Sequence, residues 1–168
     1  LYMILKAYQD DPVGALKTLK EIGYTEIEAI ITSTAATLRG QLDATGLRCP
    51  SLHFDGIGFE PGIEAAHVLG SHYIVSSMLP AIMQKELAAR GKHAEQDYSL
   101  DGAKRTAEYA NRLGEKEKQA GLQYAYHNHH LEFSDVGGGQ TFYDVLLKET
   151  RHDLVQFELD CGWVHVGG

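Results

Sequence analysis

Short apolar runs alternate along the chain with longer stretches in which apolar residues recur every three or four positions. Residues 1–5 form the first apolar run and read as a strand. Asp11 and Pro12 then offer an N-cap and a first-turn proline. Val13, Leu16, Leu19 and Ile22 follow at helical spacing, and Gly23 closes that helix. Residues 25–31, rich in β-branched side chains, predict a second strand. Ser33 is placed to cap a helix running to about Ala44 and stopped by Gly46. Residues 47–54 predict a third strand, weakened by Pro50. Pro61 opens a short helix through Ala65, Ala66 and Leu69, and residues 72–78 predict a fourth strand. Residues 80–90 read as helix and 91–96 as a polar connector. Ser99 caps a long helix in which Ala103, Ala107, Ala110 and Leu113 recur out to Gly121. Residues 122–127 predict a fifth strand, 141–149 a helix, and 155–160 a sixth strand.

Strand and helix therefore alternate, the signature of a parallel sheet with crossover helices. A doubly wound open sheet and a β/α barrel both fit that order. Side-chain alternation helps to choose. In the sixth strand Val155, Phe157 and Leu159 share one face and Gln156, Glu158 and Asp160 the other. In the fifth, Ala125, His127 and His129 share a face. In the second, Ile27 and Ala29 oppose Glu26 and Glu28. An open sheet covered on both faces wants both faces apolar. A barrel instead gathers polar chemistry at the C-terminal strand ends, which is where these polar residues cluster. The expected fold is α/β, a TIM (β/α)8 barrel. Six strands in 168 residues is about 28 residues per unit, and a complete barrel takes about 250. Residues 1–168 are thus expected to be a single barrel domain, strands 1 to 6, truncated on its C-terminal side.

Composition narrows the function. Fifteen Lys+Arg stand against 23 Asp+Glu, a formal net charge of -8, which argues against a sequence-independent grip on nucleic acid. No apolar run approaches the ~18 residues of a membrane span. The first residues show no basic leader or cleavage signal, and two cysteines cannot make a disulfide framework, so a reduced, cytoplasmic protein is expected.

Nine histidines are present, and three of them lie in Tyr126-His127-Asn128-His129-His130, followed by Glu132. His127 and His129, two apart at a strand end, can aim both imidazoles into one cavity, and imidazole with a carboxylate suits a divalent metal. Asp160 ends an apolar strand as either a metal ligand or the N-cap of the next segment. Trp163 offers a flat face to a sugar ring or packs over the rim, and His165 follows two residues later. Glu28 and His53 sit near the ends of their strands, each readable singly as a structural polar residue. Cys161, beside Asp160, reads as core packing. Gly137-Gly138-Gly139 lacks the Lys-Ser/Thr of a phosphate loop, and no G-x-S-x-G elbow occurs.

Gly23-Tyr24-Thr25-Glu26-Ile27-Glu28, Tyr126-His127-Asn128-His129 with Glu132-Phe133, and Glu158-Leu159-Asp160 with Trp163 resemble the xylose-isomerase-like TIM-barrel superfamily. The nearer resemblance is to its sugar phosphate isomerase/epimerase branch, over nearly the whole chain. It implies a divalent metal (Mn, Zn, Co, Fe or Mg) at the barrel mouth, held by residues ending strands five to eight. Asp160 matches the strand-six ligand, and His127 stands where many members carry Glu. The strand-seven and strand-eight ligands have no counterpart. The implied reaction is proton transfer α to the carbonyl of a sugar or keto-sugar through an enediolate. His127 and Asp160 are expected to hold metal, with Glu132 as base or second ligand and His127 also catalytic. Glu28, His53, His129, Trp163 and His165 are expected to hold the substrate, and a homo-oligomer is compatible. Alternatives are a metal-dependent phosphodiester hydrolase like the endonuclease branch of the same fold, and an inert fragment.

Overall fold

The computed structural model describes residues 1–31, 33–54, 59–77 and 97–168. The helix expected at 80–90 and the connector at 91–96 lie outside them. Five strands are present among the described residues: β1 (Glu26–Ile30), β2 (Arg48–His53), β3 (Tyr73–Ser76), β4 (Gln123–His127) and β5 (Val155–Glu158). Their order in the sheet is the order of the chain, β1-β2-β3-β4-β5. β1 pairs with β2, and β4 with β5, in parallel. Parallel strands in chain order, each followed by a crossover, make an incomplete α/β TIM barrel. The chain divides into two compact units, Leu1–Ile74 and Val75–Gly168.

In the first unit the expected strand at 1–5 does not form. Tyr2–Ile4 is a 3₁₀ turn that runs into α1 (Leu5–Asp10). Periodicity alone cannot separate a short apolar run in a strand from one in a helix. Here Tyr2 is 75% and Met3 93% exposed, so the run lacks the two buried faces of a central strand. α2 (Pro12–Ile22) begins and ends as expected: Asp11 accepts from the Gly14 N–H, Pro12 sits in the first turn, and Gly23 takes the left-handed conformation at φ 115°. α3 (Ala35–Thr45) is capped by Thr34, not Ser33; the Thr34 hydroxyl accepts from the Thr37 N–H. Both residues can cap, and the one a position nearer the first helical residue does so. β1 buries Ile27 and Ala29 on one face, and α4 (Phe59–Leu69) buries Phe59, Ala65, Ala66 and Leu69. With Leu16, Leu38, Leu42 and Leu52 these form the core of the unit.

In the second unit α5 (Leu100–Gln119) starts where expected, with the Ser99 hydroxyl accepting from the Gly102 N–H. Its buried stripe includes Ala103, Ala107, Ala110, Leu113 and Gly114. Small residues there let the helix close on the chain entering β5: a Cβ built on Gly114 would lie 2.5 Å from the Leu154 carbonyl oxygen. α6 (Phe142–Glu149) carries a full capping box between Thr141 and Asp144. Gly137, Gly138 and Gly139 all have positive φ, so this run is a turn that L-residues would strain, consistent with the absence of a phosphate-loop pattern.

The sixth expected strand is β5 and stops at Glu158, two residues early. Asp160 accepts from the Trp163 N–H and caps α7 (Cys161–Gly167). Cys161 begins α7 and is exposed, so it does not pack in the core. Among the described residues no helix is long and apolar enough to cross a membrane.

Candidate functional site

β4 and β5 run in register from Tyr124↔Val155 to His127↔Glu158. Alternation places Tyr126 and Phe157 on one face, where Phe157 meets the Tyr143 ring of α6. His127 and Glu158 lie on the other face, at the C-terminal strand ends. They are cross-strand neighbours, and their side chains bond to each other: His127 Nδ1 lies 2.8 Å from Glu158 Oε1. The opposite ring nitrogen, Nε2, lies 3.9 Å from Asp160 Oδ2. All three side chains are partly buried. One imidazole is therefore held between two carboxylates.

The turn after β4 is built by two buried polar residues. Asn128 is fully buried, and its amide group makes a double hydrogen bond with the backbone of Asp160. Nδ2 donates to the Asp160 carbonyl (3.2 Å), and Oδ1 accepts from the Asp160 N–H (2.9 Å). Glu132, also fully buried, accepts from the Tyr126 hydroxyl at Oε1 (2.8 Å) and from the His129 N–H at Oε2 (3.0 Å). The expectation that Glu132 acts as a base or second ligand does not suit this placement. Both of its oxygens are engaged in the interior, and its charge fastens the turn. That charge is also felt by Tyr98 and Tyr143. Burial first, and Glu132 second, push the Tyr98 phenol up to about 12 and raise that of Tyr143.

With its backbone held, His129 brings its ring against two others. It meets His127 edge-on at 5.2 Å between centroids, and Trp163 at 5.3 Å with the planes tilted by 44°. Trp163 also contacts the His130 ring at 5.3 Å. Trp163 thus belongs to the His127–His129 cluster. His165 lies two residues further along α7, about 200° around the helix at 3.6 residues per turn, and is exposed. It is not brought to the Trp163 side.

No protein-family model matches the chain, and no curated protein does. Solved structures do. A sugar phosphate isomerase/epimerase from Parabacteroides distasonis matches 99% of this chain and 68% of its own, at 25% identity and a TM-score of 0.78. A xylose isomerase-like TIM barrel/4-hydroxyphenylpyruvate dioxygenase fusion protein matches 86% of this chain and 24% of its own, at 13% identity and a TM-score of 0.56. A xylose isomerase-like TIM barrel protein from Mycobacterium smegmatis, in complex with magnesium, matches 90% of this chain and 56% of its own, at 17% identity and a TM-score of 0.55. By fold, this chain is an incomplete α/β TIM barrel.

The first unit carries the other two expected site residues. Glu28 and His53 lie on the neighbouring strands β1 and β2, with His53 Nε2 3.4 Å from Glu28 Oε1. Their side chains face each other across the β1–β2 pair. A shallow groove of about 360 Å³, lined by Glu115, Lys118, Arg151 and Asp153, precedes β5 at the opposite strand end. Arg151–Glu115 (3.2 Å), Arg151–Asp153 and Lys118–Asp153 (3.1 Å each) span it, and that end of a TIM barrel serves stability.

Two residues of the site escaped the sequence reading. Glu158 shares its strand face with Asp160, and the alternation that singled out one carboxylate equally marks the other. Asn128 had no such signal, because its role depends on a backbone 32 residues away.

Proposed function

We propose that the chain is the larger part of an isomerase- or epimerase-type enzyme that moves a proton α to the carbonyl of a sugar or keto-sugar with the help of a divalent cation. The observation that carries this reading is the imidazole of His127 set between Glu158 and Asp160 at the strand ends. The donor set fits a cation. The 3.9 Å between His127 Nε2 and Asp160 Oδ2 is a gap that two ligands, each about 2.0–2.2 Å from one ion, can span. A bound cation supplies Lewis-acid polarisation of the substrate carbonyl.

The chain's own residues do the rest. His127 and Asp160 are the proposed ligands. Glu158 accepts from His127 Nδ1–H, which fixes the tautomer and leaves Nε2 as the donor of an electron pair. Trp163 offers its flat face to the apolar side of the sugar ring. His129, in contact with both His127 and Trp163, holds a hydroxyl or carries the proton. The magnesium bound by the Mycobacterium smegmatis neighbour and the sugar phosphate isomerase/epimerase from Parabacteroides distasonis support this reading.

Two measurements on the full-length protein test it. Mn²⁺ titration should show a site lost in Asp160→Ala and weakened roughly 10–100-fold in Glu158→Gln. Incubation with a panel of keto-sugars in D₂O should place deuterium α to the carbonyl of at least one. A protein that binds no divalent cation and exchanges no α-proton does not do this chemistry.

A further inference from the structure

Register between β4 and β5 ends at His127↔Glu158. Beyond that pair, the strands lose the ladder that would fix one chain against the other, and Asp160 lies two residues past it. Asn128 takes over at that point. A carboxamide presents one donor and one acceptor in the arrangement of a peptide group. Asn128 uses both on a single residue, bonding the N–H and the C=O of Asp160. The side chain is fully buried, so water does not compete for these bonds. The same Asp160 turns Oδ1 to the Trp163 N–H, and its other oxygen, Oδ2, faces His127.

We propose that Asn128 is a positioning residue. Its amide prolongs the β4–β5 ladder by one artificial peptide unit and thereby sets the Asp160 carboxylate opposite His127. The inference rests on the metal-binding reading above, with Asp160 as ligand. Asn128 touches neither substrate nor cation; it acts through Asp160.

The test is Mn²⁺ affinity of the full-length protein in four forms: wild type, Asn128→Ala, Asp160→Ala and the double variant. Asn128→Ala should weaken binding about 10–100-fold, as loss of an outer partner of a ligand does. With Asp160 already replaced, the same substitution should change the residual affinity less than about twofold, because coupled residues act through one another. A role confined to stability would not vanish with Asp160. Asn128→Asp, which has the same shape and keeps the acceptor but loses the donor, should fall between wild type and Asn128→Ala and covers the case in which the alanine variant does not fold.

Wild-type affinity in Asn128→Ala and Asn128→Asp, or an equal loss with and without Asp160, would overturn the proposal. If the wild type binds no Mn²⁺, the metal reading fails and hydrogen exchange decides the positioning claim. Faster exchange at the Asp160 and Trp163 amides in Asn128→Ala, with the α5 amides unchanged, supports it. Unchanged exchange at Asp160 refutes it.

Discussion

Glu117 is a carboxylic acid in the wrong solvent. It lies fully buried on α5, neither of its oxygens has a hydrogen-bond partner, and burial pushes its pKa up to about 9. The unfolded chain ionises Glu117 near the usual 4.5, whereas the folded chain keeps it neutral until about 9. Between those values the unfolded state gains from ionising and the folded state does not, so stability falls as pH rises and is untouched below 4.5. Glu117→Met, similar in size and apolar, should stabilise the protein at pH 8 by about 1–4 kcal/mol and by less at pH 5. Urea denaturation at the two pH values measures it. A gain that does not grow with pH would mean that Glu117 is ionised in the fold. Glu132 is the opposite case, a buried carboxylate with both oxygens engaged. Glu132→Gln keeps the shape but turns an NH₂ toward one of the two donors, which should cost about 1–3 kcal/mol. If α-proton exchange were instead abolished with stability intact, Glu132 would be the base after all.

Among elements, the close approach of α5 to the start of β5 governs the second unit. Gly114 is the contact point, with the Leu154 backbone where a side chain would begin. Gly114→Ala raises helix propensity by about 1 kcal/mol, yet the backbone must shift to admit the methyl. The net effect should be a loss of about 1–3 kcal/mol in chemical denaturation. An alanine that stabilised the protein would show that α5 has room to move. Caps explain why some element boundaries were readable and one was not. Ser99 and Thr141 stand alone before their helices and cap them, and Asp11 is marked out from Asp10 by the Pro12 that follows it. Ser33 and Thr34 stand together, and choosing between them needs the backbone angles, which no propensity supplies.

For the whole molecule, the alternation of strand and helix was legible because a parallel sheet needs a crossover after every strand. The run at 1–5 misled because apolar residues are ambiguous over so short a span. The site was half legible. His127, His129, Asp160 and Trp163 announce themselves by residue type and parity, and the structure gathers them. Asn128 does its work on a backbone group, and the bonds of Glu132 to the Tyr126 hydroxyl and the His129 N–H take shape only once the turn is folded. His165 was named for its nearness in sequence to Trp163, and the helix that begins at Cys161 turns it to another side.

Trp163 is the chain's single tryptophan. Its indole rests on the rings of His129 and His130, and its backbone N–H donates to Asp160 Oδ1. Tryptophan emission from residues 1–168 therefore comes from one place, the rim of the candidate site. Protonated imidazole quenches indole, and a carboxylate that changes partners shifts the field around it. The molecule thus carries an optical reporter of whatever occupies its own mouth, and no label has to be added to read it.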